Sequence, residues 1–123
     1  MSELVLIRGL PGSGKTTLAK AMNGTVHFEA DQWMVDSEGN YCFDPDKLSV
    51  AHEACRAATQ RALEAGQNVV VSNTFVERWE MQPYLEMGYP VRVLEAKGCY
   101  QSEHAVPPEV LQQMRELWES YAR

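Results

Sequence analysis

The chain has 123 residues, of which 45% are hydrophobic and 23% charged, and its formal net charge is −6. These values are ordinary for a soluble globular protein, and we expect one domain over residues 1–123. No apolar stretch reaches the roughly 20 residues that span a bilayer, and Ser2-Glu3 is unlike the start of a signal peptide, so no membrane partner is expected. Three cysteines without Cys-x-x-Cys spacing favour the reducing cytoplasm over a disulfide framework or a zinc site.

The first predicted elements are a strand, a glycine-rich loop and a helix. Residues 4–8 are a branched apolar run, residues 9–16 match the P-loop pattern G-x-x-x-x-G-K-[ST], and residues 16–22 have helical composition. This order is the context in which the pattern forms a phosphate site. The predicted binding residues for a nucleoside triphosphate are Gly9, Pro11, Gly12, Ser13, Gly14, Lys15, Thr16 and Thr17.

Each residue type in the loop has a physical role. Glycines allow successive backbone N–H groups to converge on phosphate oxygens, and the following helix adds partial positive charge. Lys15 supplies a point charge to the β- and γ-phosphates, which makes it a predicted catalytic residue, and the hydroxyl of Thr16 is placed to ligate Mg²⁺.

Strands and helices alternate through the rest of the chain. Further strands are predicted over residues 25–29, 68–72 and 91–95, and a stripe of small residues predicts a helix that begins after Asp44 and ends near Gly66. A capping box is expected at Thr74-x-x-Glu77, and a last helix opens at Pro107-Pro108. The alternation predicts an α/β P-loop fold with three α/β/α layers and a parallel sheet of about four strands.

The charge is unevenly distributed. Residues 1–24 contain one acid and three bases, whereas residues 29–53 contain seven acids and one base. Long nucleic acids gain affinity from clustered Lys and Arg. A long nucleic acid is therefore disfavoured as a partner, although it is not excluded.

Ligands of parallel α/β sheets bind beyond the carboxyl ends of the strands. Asp31 follows the second strand, where it could accept a proton from a hydroxyl or hold the metal ion through water. Equally, it could cap a helix that begins at Gln32. Ser72 ends the third strand, where many P-loop enzymes carry an acid, and neither it nor Asn73 brings a negative charge. Asp31 is thus the predicted acid near the metal.

Other side chains are expected to be structural. The histidines lack metal-ligand spacing, and the tryptophans are expected in the core. These residues are His27, His52, His104, Trp79 and Trp118.

Residues 8–17, 28–31, 72–74, 79–84 and 104–107 together resemble the small P-loop kinases related to phage polynucleotide 5′-kinase. They are similar especially to a group of short ATP-binding proteins of bacteria and phages. The resemblance spans nearly the whole chain. It implies ATP and Mg²⁺ as cofactors and a hydroxyl group as the acceptor.

The resemblance also carries roles to single positions. An Asp that matches Asp31 is the general base of polynucleotide kinases. The arginine that holds the acceptor phosphate corresponds to Met34 here, and the lid arginine corresponds to Gln101. The Asp-Thr-Asn stretch after the third strand corresponds to residues 73–75, where two of the three side chains differ.

Two hypotheses therefore remain. The first is an Mg-ATP-dependent phosphotransferase that acts on a hydroxyl acceptor, with Asp31 as its base. Nucleosides, small metabolites and nucleic-acid ends are candidate acceptors, and the acidic segment favours a small one. The second hypothesis is a nucleotide-binding module with weak or no kinase activity that acts through a partner.

Overall fold

The computed structural model describes residues 2–10, 13–40, 42, 44–96 and 108–118. Within these ranges the chain forms four strands and four helices. The strands are β1 (Leu4–Arg8), β2 (Thr25–Phe28), β3 (Asn68–Asn73) and β4 (Val91–Glu95). The helices are α1 (Lys15–Lys20), α2 (Leu48–Glu64), α3 (Gln82–Leu85) and α4 (Pro108–Leu117). No helix in the described ranges has the length and apolar character needed to cross a membrane.

The strands form one parallel sheet in the order β2-β3-β1-β4. Leu4 of β1 pairs with Val69 on one side and with Val91 on the other. The central position of β1 explains its continuous apolar run, because such a strand is covered on both faces. The chain moves from β1 to one side of the sheet and returns to place β4 on the other side. This arrangement opens a crevice at the carboxyl end of β1.

Alternate side chains of β1 enter two separate cores. Leu4 and Leu6 pack in the larger cluster with residues of α2 and α3, whereas Val5 and Ile7 pack with Ala19 of α1. Helices therefore cover both faces of the sheet. The predicted three-layer α/β fold with a four-stranded parallel sheet is confirmed.

Helix α2 ends as its sequence predicts but begins later, because residues 45–47 form a separate 3₁₀ turn and the α-helix starts at Leu48 with Lys47 as its N-cap. Asp44 accepts a hydrogen bond at its Oδ1 from the backbone N–H two residues later, at 3.0 Å, in the 3₁₀ turn that leads into the helix. At the other end Gly66 has φ +85°, and its N–H donates to the carbonyl of Leu63 while that of Gln67 donates to Ala62. These two bonds form a Schellman motif. The buried face carries Ala51, Cys55, Ala58, Ala62 and Leu63.

Two predictions for the segment after β3 are wrong. The capping box joins Glu77 and Glu80 rather than Thr74 and Glu77, because the 3₁₀ turn begins three residues later than predicted. Trp79 is 68% exposed rather than in the core, and its indole N–H donates to the Glu77 carboxylate at 2.9 Å. Both differences arise because residues 74–77 form an irregular connection, in which Phe75 has φ +46°, before the 3₁₀ turn begins at Arg78.

Candidate active site

The P-loop leaves β1 between two neighbouring segments. The N–H of Gly9 donates to the carbonyl of Thr74 at 3.2 Å, and the N–H of Ala96 donates to the carbonyl of Arg8 at 2.8 Å. A Cβ on Gly9 would collide with Ser13 Oγ and would lie 3.0 Å from the carbonyl oxygen of Ala96. Glycine fits this position best, because a side chain would force Ser13 and the backbone of Ala96 to shift.

The second half of the loop turns into α1. Gly14 has φ +89°, a conformation that favours glycine, and its carbonyl accepts the N–H of Leu18 at 3.0 Å. Lys15 and Thr16, the first residues of α1, are half-buried, whereas Thr17 is exposed.

Ser13 carries a buried hydroxyl that could donate a hydrogen bond to a phosphate. Its Oγ has no hydrogen-bond partner among the described residues, although such buried groups are nearly always satisfied. An oxyanion in the loop would supply the acceptor, so the residues present fit a nucleotide phosphate. The predicted binding residues Pro11 and Gly12 lie outside the described ranges, as do Gln101 and His104.

Glu29, which directly follows β2, is a carboxylate of the site that the sequence reasoning missed. Its Oε2 accepts hydrogen bonds from the hydroxyls of Thr16 at 2.8 Å and Ser72 at 2.7 Å, and it lies 3.6 Å from Nε2 of His27. Burial would raise the pKa of Glu29, but the neighbouring His27 and the hydrogen bonds from Ser72 and Thr16 outweigh it and hold the pKa at about 2. The side chain is therefore an anion at neutral pH.

Asp31 lies in the 3₁₀ turn that follows. The turn spans residues 30–33 with Glu29 as its N-cap, so the alternative that Asp31 caps a helix beginning at Gln32 is wrong. The turn is attached to β3 because the N–H of Ala30 donates to Oδ1 of Asn73 at 2.9 Å. Asn73 thus holds the backbone beneath Asp31, whose side chain is exposed.

Lys15 lies in the electrostatic field of both carboxylates. Burial lowers the pKa of Lys15, and the negative charges of Glu29 and Asp31 oppose that shift. The structure therefore brings the predicted residues Lys15 and Asp31 together with Glu29 at the carboxyl end of the sheet. The attraction of both carboxylates for the ammonium group of Lys15 favours its charged form, which is the form that neutralises phosphate charge.

Helix α2 adds two basic side chains on the side of Asp31. Burial and the neighbouring charge of Arg56 lower the pKa of His52, while Asp31 raises it. Their spacing of four residues places His52 and Arg56 on one side of the helix.

Met34, the position that corresponds to the acceptor-phosphate arginine, is 1% exposed and packs against Ala51. This position therefore belongs to the core rather than to the cleft.

The donor set also suits magnesium. The described residues contain no group of three or more His, Cys, Asp or Glu side chains that could hold a metal ion by themselves. Magnesium sites in phosphate-transferring proteins use one or two carboxylates together with substrate phosphates. The hydroxyl of Thr16 and the carboxylates of Glu29 and Asp31 are the oxygen groups that could hold such an ion together with a phosphate.

Comparisons with known proteins agree with this geometry. A family model described as AAA domain matches residues 4–97. NEDD4-binding protein 2 of Homo sapiens is 36% identical over 90 residues, which are 68% of this chain and 5% of that protein. The chain thus spans a small fraction of this curated relative.

Solved structures show the same fold. A gluconokinase from Sinorhizobium meliloti superposes with a TM-score of 0.65 and 22% identity, over 96% of this chain and 75% of that one. A chain of the Pnkp1/Rnl/Hen1 RNA repair complex superposes with a TM-score of 0.64 and 19% identity, over 94% of this chain and 37% of that one. The predicted likeness to small P-loop kinase-like proteins is confirmed.

Proposed function

The chain belongs to the AAA domain family, and from this premise we propose that it is an Mg-ATP-dependent phosphotransferase with a hydroxyl acceptor. The observation that carries the proposal is the position of Lys15, which lies at the P-loop within the field of Glu29 and Asp31. A cation for phosphate and two acids for metal and acceptor are the parts that phosphoryl transfer requires.

In the proposed reaction the acceptor oxygen attacks the γ-phosphorus of ATP. The bond between that phosphorus and the β–γ bridging oxygen breaks, and ADP leaves. The carboxylate of Asp31 accepts the acceptor's proton. Lys15, the P-loop amides and the hydroxyl of Ser13 hold the transferring group. Thr16 would hold Mg²⁺, which would supply further neutralisation of phosphate charge.

The acceptor is proposed to be small. We place it beside Asp31, whose charge acts on His52 of α2, a side chain that also lies in the field of Arg56. A single arginine suits one anionic group on the acceptor, such as a carboxylate or a phosphate. The fold likeness to a gluconokinase supports this size class, and the acidic segment over residues 29–53 opposes a long polyanion.

The test measures ADP formation with a panel of nucleosides, sugar acids and oligonucleotide 5′-hydroxyl ends, each with and without Mg²⁺. A phosphotransferase requires that one acceptor class accelerates turnover and becomes phosphorylated. If ATP binds but no acceptor accelerates its turnover, the second hypothesis, a nucleotide-binding module that acts through a partner, replaces this proposal.

A further inference from the structure

Glu29 occupies an unusual position for a P-loop acid. Many P-loop enzymes carry the metal-facing acid at the end of a strand that neighbours the P-loop strand. The corresponding strand here is β3, which ends in Ser72 and Asn73. Glu29 comes from the next strand outward. Phe28 of β2 pairs with Val71 of β3, so the residues that follow, Glu29 and Ser72, lie side by side.

The hydrogen bonds around Glu29 have defined directions. Thr16 and Ser72 each have one hydroxyl proton, and both donate it to Oε2 of Glu29. His27 Nε2 lies 2.6 Å from Ser72 Oγ. Because the Ser72 proton is already used, Nε2 of His27 must carry a hydrogen and donate it to Ser72. Three donors thus converge, directly or through Ser72, on one ionised carboxylate.

Donation by Thr16 leaves its oxygen lone pairs available. A hydroxyl that donates its proton to a carboxylate presents greater electron density to a cation on its other side. Within the described part of the chain, the hydrogen bonds to Glu29 use Oε2, so Oε1 can accept a hydrogen bond from a metal-bound water.

From this geometry we propose that Glu29, acting with Thr16, is the carboxylate that holds the Mg²⁺ of the bound nucleotide, in place of an acid at the end of β3. Ser72 and His27 are positioning residues that orient Glu29. Asp31 is then left for the acceptor. The inference rests on the proposed function only in requiring a magnesium-bound nucleoside triphosphate at the P-loop.

The negative charge of Glu29 can be removed with little change in the shape of its side chain. Glu29→Gln keeps an oxygen that accepts the hydrogen bonds from Thr16 and Ser72. Glu38→Gln is the matched control, because Glu38 is exposed in a turn away from the sheet. Circular dichroism establishes that each variant is folded.

The experiment measures, by calorimetry, the affinity for a non-hydrolysable ATP analogue in excess Mg²⁺ and in EDTA. For Glu29→Gln, we expect the gain in affinity that Mg²⁺ provides to fall about 10–100-fold, the usual cost of losing a supporting ligand. Affinity in EDTA should be unchanged or higher, since a negative charge near the phosphates has been removed. Glu38→Gln should match the wild type under both conditions.

A second variant places a carboxylate at the end of β3. In Glu29→Gln with Ser72→Asp we expect the magnesium-dependent gain to recover at least in part. If Glu29→Gln does not fold, Glu29→Asp takes its place; it retracts the carboxylate by one methylene and should lose part of the gain. An undiminished magnesium-dependent gain in either folded single variant would overturn the assignment.

These measurements distinguish a failure of the Glu29 assignment from a failure of the proposed phosphotransferase function. Loss of the magnesium-dependent gain without any acceptor-stimulated turnover in the wild type would support Glu29 as the metal carboxylate and reject the phosphotransferase. Acceptor phosphorylation by the wild type, together with an unchanged gain in Glu29→Gln, would support the phosphotransferase and reject this role of Glu29.

Discussion

Arg8 at the end of β1 donates from Nε and Nη2 to the carbonyl of Phe75, at 3.1 and 2.7 Å. Nη2 also reaches the carbonyl of Val76 at 3.1 Å, and the guanidinium lies 4.1 Å from the centre of the Trp118 ring. Phe75 has φ +46°, which is rare for a residue with a side chain. The buried arginine therefore ties the P-loop strand to the strained loop after β3.

We expect Arg8→Ala to lower the free energy of unfolding substantially. Each buried carbonyl left without a donor costs about 1–3 kcal/mol, and the strain at Phe75 loses its support. Urea denaturation measures the change. Arg61→Ala is the control, since Arg61 is exposed on α2 and should change stability by about 0.5 kcal/mol or less. Equal stability of the two variants would contradict the role assigned to Arg8.

Lys15→Ala should weaken Mg-ATP binding and leave the fold intact. The lost charge-assisted hydrogen bonds to phosphate correspond to about 10–100-fold in affinity, whereas the side chain contributes little packing. Calorimetry measures the affinity, and a thermal melt establishes folding. Lys20→Ala, at the exposed end of α1, should bind like the wild type. Unchanged affinity in folded Lys15→Ala would remove the P-loop from the nucleotide site.

Gly9→Ala tests the close packing inside the P-loop. The new methyl group would collide with Ser13 Oγ, so we expect lower thermal stability and weaker ATP binding. Adding Ser13→Ala removes the nearest colliding atom and should restore part of the stability. A Gly9→Ala variant with the melting temperature of the wild type would show that the loop is not packed as described.

The pKa of His52 should respond in opposite directions to its two charged neighbours. Arg56→Gln removes a positive charge and should raise the pKa, whereas Asp31→Asn removes a negative charge and should lower it. NMR titration of the imidazole measures both shifts. Burial holds the pKa of His52 in the folded state below its value in the unfolded chain. His52 therefore lowers the free energy of unfolding as the pH falls from above the unfolded-state pKa to below the folded-state pKa, and Arg56→Gln should reduce that loss. Shifts of the same sign in both variants would contradict the placement of His52 between these charges.

The fold could be predicted because its signals are local. The apolar runs of β1 and β4 have the predicted bounds, and Gly66 marks the end of α2 by a conformation that few other residues adopt. The P-loop was recognisable from its spacing and its flanks. Trp79 was placed wrongly because a large aromatic side chain carries no local signal for exposure.

Glu29 was missed for a different reason. Its role depends on which strands are neighbours and on their register, and both are long-range properties. The signal available in the sequence was an acid, Glu29, at the end of the second predicted strand together with an uncharged Ser72 at the end of the third. Arg56 was missed similarly, since nothing in the composition of α2 shows that this face lies beside Asp31.

The central claim is tested most directly by the rate of γ-phosphoryl transfer from ATP to the best acceptor in Asp31→Asn, at saturating Mg-ATP. We expect the rate to fall by about 10²–10⁴, the usual contribution of a general base, while the affinity for Mg-ATP stays within about twofold of the wild type. Asp46→Asn, an exposed control, should transfer phosphate at the wild-type rate. A transfer rate in folded Asp31→Asn equal to that of the wild type would contradict the account.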